Sequence, residues 1–112
     1  FQGKIVVRPG AQKTDGALQS KALLLSDGAT MNNKPELEIF ADDVQCSHGA
    51  TCGRLDGDQL FYLMARGLPP AEAEAMLIEA FANDAFADFE DEALRGFFAA
   101  RISQWLARRA AA

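Results

Sequence analysis

The spacing of apolar residues changes once along this chain, near residue 56, and that change constrains the fold more than any other feature. Before it, apolar residues come in short runs closed by turn formers. Lys4-Ile5-Val6-Val7 is β-branched and ends at Pro9-Gly10, Leu23-Leu24-Leu25 ends at Ser26-Asp27-Gly28, and Glu36 to Ala41 alternates polar and apolar after Pro35. These predict three strands joined by polar stretches without helical periodicity, too few to close a core unaided. After residue 56 the spacing is helical. Asp56 suits an N-cap for a helix over about 58–66, and Gly67 suits its C′ position. Pro69-Pro70 resets the chain for a second helix with Ala73, Met76, Leu77, Ala80 and Phe81 at helical spacing. A third, about 88–109, has acids early and Arg108 and Arg109 late, which suits the helix dipole. Its stripe is Leu94, Phe97, Phe98, Ile102, Trp105 and Leu106, with Gly96 a weak point. The expected division is therefore 1–55 and 56–112.

Charge follows the same break. Residues 1–55 hold six basic and six acidic groups, and residues 56–112 hold five and ten, so the whole net charge of −5 lies in the second half. That balance argues against binding nucleic acid, which needs clustered cations, and against an anionic membrane surface. No run of 18 apolar residues occurs, so no transmembrane helix is expected. Two Cys are too few for a disulfide framework, which points to a reducing, cytoplasmic compartment. The start at Phe1-Gln2-Gly3, without an initiator Met or a signal peptide, reads as a piece of a longer protein.

The only His and both Cys fall at the break, as Cys46-x-His48-x3-Cys52 behind Asp42 and Asp43. Thiolate and imidazole ligate zinc, iron and Fe–S clusters, and Gly49 and Gly53 permit turns that would gather the ligands. The plain alternatives are two small buried hydrophobes and a solvated imidazole. Three ligands in seven residues do not easily close a tetrahedral site. No Ser- or His-based catalytic constellation exists, so a hydrolase or transferase has no residues behind it.

Several blocks, in order, resemble the SufB/SufD family, the scaffold of the SUF iron–sulfur cluster assembly machine. They are Gln12-Lys13-Thr14-Asp15, Leu23-Leu24-Leu25-Ser26, Pro35 to Ile39, Ala41 to Val44, Cys46-Ser47-His48-Gly49-Ala50-Thr51, Leu60-Phe61-Tyr62-Leu63 and Ala65-Arg66-Gly67. The Cys-Ser-His-Gly-Ala-Thr block is similar to the SufD branch, with a SufB paralogue of the same complex as the alternative. The likeness covers about residues 1–87. It implies a mixed β and α chain: the end of a right-handed parallel β-helix over 1–55, then a small C-terminal helical domain over 56–112.

The same resemblance implies a non-catalytic scaffold that pairs with a SufB-like subunit and docks a SufC-like ABC ATPase. A transient cluster or iron would sit at the SufB–SufD interface, with no cofactor resident in this piece. His48 matches the family's cluster-ligand position, and Cys46 lies in the same block. Phe61, Tyr62, Arg66 and Gly67 are the implied SufC contacts, and the strand edge at Leu37, Ile39 and Phe40 the implied SufB contact. Met76, Leu77, Phe81 and Phe86 would be core or SufC surface. Cys52 departs from the family's usual aliphatic residue, which favours a core role for it. The open end or the 36–41 strand edge would make the piece self-associate. Two readings compete: a small metal module using Cys46, His48 and Cys52, and a plain interaction domain with no metal role.

Overall fold

The computed structural model describes residues 1–110 as two compact units, Phe1–Arg54 and Leu55 onward. The first holds strands β1 (Gln2–Val7), β2 (Asp15–Leu23), β3 (Lys34–Ile39) and β4 (Gln45–Gly53). They form two separate two-stranded parallel sheets, β1 with β3 and β2 with β4. Registers are long-range: Gln2 lies opposite Lys34 and Asp15 opposite Gln45.

The expected end of a right-handed parallel β-helix is therefore corrected to two small parallel pairs. A solenoid needs at least about three stacked repeats, and each sheet here stops at two strands. The strand positions also differ from expectation. Leu23-Leu24-Leu25 supplies only the last residue of β2, and β4 runs extended through Gly49 and Gly53, where the sequence predicts turns. Both strands are rich in Gly, Ala and Ser, which give little apolar signal. Pro35 sits inside β3, not ahead of it.

Alternation sets the layers. Even residues of β1 and β3 face outward and, Val6 apart, form a polar ladder, with Lys4 paired to Glu38 and Lys34 to Glu36. Odd residues through Val7 on β1 and Leu37 on β3 point inward, where a Cβ on Gly3 would lie 3.1 Å from Leu18 Cδ2 and one on Gly16 3.8 Å from Ile5 Cδ1. The two sheets thus face each other through small residues. Val7 and Ala41 are the buried apolar residues of this unit among those described. At the turn before β2, Lys13 holds a left-handed φ of 65°, fixed by its N–H donating to the Asp43 carbonyl (2.6 Å) and its ammonium pairing with the Asp43 carboxylate.

The second unit holds α1 (Gly57–Ala65), α2 (Pro70–Asp84) and α3 (Glu92–Ala110). Asp56 Oδ1 accepts from the N–H groups of Asp58 (2.8 Å) and Gln59 (3.3 Å), and Gly67, at φ 100°, ends α1. Pro70 opens α2 without a side-chain cap. The third helix starts at Glu92, later than expected, because Asp91 caps it through Ala93 N–H (2.8 Å) and Leu94 N–H (3.1 Å). Ala73 and Ile78 are the buried residues of α2. Ile78 escapes the expected stripe because α2 packs on both other helices and so needs two apolar faces.

Candidate functional site

Cys46, His48 and Cys52 all lie on β4, which is extended and not the ligand-gathering turn expected of Gly49 and Gly53. Their even numbers place them on one face. At about 3.3 Å per residue, His48 and Cys52 are roughly 13 Å apart along the strand, too far to share one ion. Among the described residues no group of three His, Cys, Asp or Glu could hold a metal. A self-contained zinc module from these three residues is thereby overturned.

The three differ in surroundings. Cys46 is half-buried, its Sγ 3.9 Å from where a Gly16 Cβ would stand, on the side Ile5 also approaches. His48, opposite Leu18, is exposed. Cys52 is an exposed free thiol and not a core residue, because β4 is open toward its end, where it lies opposite Ala22. What β4 offers is one accessible imidazole with a half-buried thiol two residues before it. Such a pair supplies part of a coordination shell, and other donors must complete it.

The strand-edge residues lie on or just after β3. Leu37 is half-buried opposite Ile5, while Ile39 is 44% and Phe40 59% exposed. Two large apolar side chains therefore stand open where β3 ends.

In the helical unit, Phe61 and Tyr62 are 68% and 58% exposed on α1. Arg66 Nη1 donates to Tyr62 Oη (3.3 Å), and its guanidinium lies 5.5 Å from the Tyr62 ring centroid. This i, i+4 pair is pre-ordered by its own helix, with Gly67 closing the turn behind it. Beside it an open groove of about 510 Å³ is lined by Tyr62, Leu63, Met76, Leu77 and Ala80, with Asp58 and Gln59 at its rim. Met76 is half exposed in it, and Phe81 is also exposed. Phe86, by contrast, stacks on Phe98 with ring centroids 4.5 Å apart, so it belongs to the packing between α2 and α3. Sequence reasoning missed the groove as a unit, since its walls come from two helices separated by the Pro69-Pro70 break.

No helix among the described residues is long and apolar enough to cross a membrane.

Residues 1–81 match the family described as SUF system FeS cluster assembly, SufBD core domain. The chain is 47% identical over 106 residues to the iron–sulfur cluster assembly protein SufD of Escherichia coli, covering 95% of this chain and 25% of that protein. It is 42% identical over 81 residues to SufD of Bacillus subtilis, covering 72% and 18%. A SufBD family protein of Synechocystis is 48% identical over 84 residues, covering 75% and 18%. The chain thus spans about a quarter or less of the length of these relatives. The matched region takes in all four strands, α1 and most of α2, and on that ground the chain belongs to the SufBD family of iron–sulfur cluster assembly proteins.

Proposed function

We propose that this chain is part of a SufD-type scaffold that assembles clusters with two partners and catalyses no reaction itself. The carrying observation is the SufBD core match over residues 1–81, which includes the Cys46–Thr51 block and the Phe61–Gly67 segment. The cluster is cargo in this reading, built in the cytoplasm and passed on. His48 contributes an exchangeable imidazole and Cys46 a thiolate. Because β4 offers only a partial donor set, the remaining donors come from a SufB-like subunit. Leu37, Ile39 and Phe40 supply the strand edge and apolar surface for that subunit.

Phe61, Tyr62 and Arg66 present the surface for a SufC-like ATPase, with Gly67 setting where α1 stops. Exposed aromatic and Arg side chains on a preformed helix suit interface anchors.

The experiment is purification of the full-length protein with candidate SufB and SufC subunits, followed by iron and sulfide analysis. His48→Ala is expected to leave the complex intact while lowering cluster content. Unchanged cluster content would remove His48 from the site. Tyr62→Ala with Arg66→Ala is expected to weaken ATPase capture by about tenfold or more, and unchanged capture by calorimetry would reject the docking surface.

A further inference from the structure

The third helix has two apolar faces, and among the described residues the packing within its unit uses one. Phe98, Ile102, Leu106 and Arg109 lie on the side toward α2, where Phe98 stacks on Phe86 and Arg109 Nη2 donates to Glu74 Oε1 (2.8 Å). Leu94, Phe97, Arg101, Trp105 and Arg108 recur at i, i+3, i+7, i+11 and i+14, which makes a second continuous stripe. Leu94, Phe97 and Trp105 are 42%, 53% and 43% exposed. Arg101 lies 5.3 Å from the Phe97 ring centroid, so the stripe is ordered by its own contacts.

The charges at the two ends of this stripe are opposite. Asp88, Glu90, Asp91 and Glu92 stand at its start and Arg108 near its end. A parallel neighbour would set acid against acid. A foreign acidic helix would satisfy the arginines and clash with the start. An identical helix running antiparallel satisfies both ends at once and also opposes the two macrodipoles favourably.

We propose that this stripe is a self-recognition surface, occupied by the same stripe of a second copy in an antiparallel, two-fold pairing. Leu94 and Phe97 of one copy then meet Trp105 of the other, and Glu90 comes within reach of Arg108. A helix of 19 residues is about 28 Å long at 1.5 Å per residue. One such pairing falls below the roughly 800 Å² per partner of a standard interface, so the association is weak and concentration-dependent.

Sedimentation equilibrium of the chain, with tryptophan emission in parallel, tests this. Trp105 is the only Trp. The mass is expected to rise from one chain toward two over about two decades of concentration, with Trp105 emission shifting to the blue in step. Trp105→Ala should abolish the rise. Arg108→Glu, an exposed change whose helicity is checked by circular dichroism, should weaken association by about tenfold. Glu90→Arg combined with Arg108→Glu should restore it. A single-chain mass throughout would overturn the proposal. So would association that survives Arg108→Glu, as pairing through strand edges would, or a double variant that stays as weak as Arg108→Glu alone.

Discussion

The strand unit and the helical unit are similar in size but are held together over different distances in sequence. Each strand pair joins residues about thirty positions apart, as Lys4 with Glu36 and Leu18 with His48. The helical unit is set largely by bonds within four residues, as at Asp56 and Asp91. Both units bury little. Val7 and Ala41 are the buried apolar residues of the first, Ala73 and Ile78 of the second, and no large side chain is fully buried among the described residues. Low burial in units this small leaves narrow margins. The strand unit must close long loops before its ladders reward it, whereas the helical unit is built from local pieces that packing must then hold. Single substitutions should therefore act differently in the two.

The largest expected effect is at the one substantial buried side chain of the helical unit. Ile78→Ala should cost about 2–4 kcal/mol, enough to lower its melting midpoint by about 10 °C or more. Val7→Ala removes two carbons from the strand unit and should cost about 2 kcal/mol at ~0.8 kcal/mol per buried carbon, before any cavity cost. Hydrogen exchange read residue by residue separates the cases. Ile78→Ala should open amides of α2 and α3 and leave β1–β4 protected. Equal loss of protection in the strands would show the units unfolding as one.

Next comes the cap. Asp56→Ala removes the acceptor for two N–H groups and should cost about 1 kcal/mol, seen as fraying of α1 by circular dichroism and chemical shift. A change under a few tenths would mean that packing, not the cap, places α1.

This difference in range also governs what could be read from the chain. Asp56, Gly67 and Pro70 act on their immediate neighbours, so the ends of α1 and the start of α2 follow from local chemistry. Asp91 acts as locally, yet with four acids between Asp88 and Glu92 the expected start falls at about 88 and not at Glu92. The partners of β2 and β4 lie thirty residues away, and Gly16, Ala17, Ser47 and Gly49 lack the side chains that announce a strand. The Cys46–His48–Cys52 spacing was visible, but its meaning turned on whether the backbone bends or extends there. An extended β4 converts three neighbouring ligands into one accessible imidazole, one half-buried thiol and one distant thiol.

A smaller effect of opposite sign is expected at Gly96. A Cβ there would meet nothing within 4 Å, and its φ is not left-handed. Gly96→Ala should stabilise the helical unit by about 0.5–1 kcal/mol, measured by urea unfolding. Destabilisation would mean that the face of α3 bearing Gly96 is closely packed in solution.

The smallest effect belongs to the outer ladder of the strand unit. The Lys34 side chain hydrogen-bonds to Glu36 (Nζ to Oε1 3.3 Å) and holds its carboxyl below the usual glutamate range. Gln2 Nε2, 3.5 Å from Oε2, and the charge of Lys34 act in the same direction, Lys4 adds the least, and desolvation opposes them. A carboxylate with a folded pKa below its unfolded one binds fewer protons when folded. Its contribution is therefore complete above the unfolded pKa and is lost as pH falls through the folded one. Because the ladder is open to water, the contribution is slight, as for exposed pairs generally. The sharper readout is the titration itself: the Glu36 carboxyl carbon, followed by NMR, should move at a lower pH than an ordinary glutamate. Lys34→Met should return it toward the usual range by removing both the leading hydrogen bond and the nearest charge, and Gln2→Ala should shift it less. A midpoint unmoved by Lys34→Met would mean that this contact does not persist in solution, and the long-range register would then rest on backbone pairing and inward packing alone.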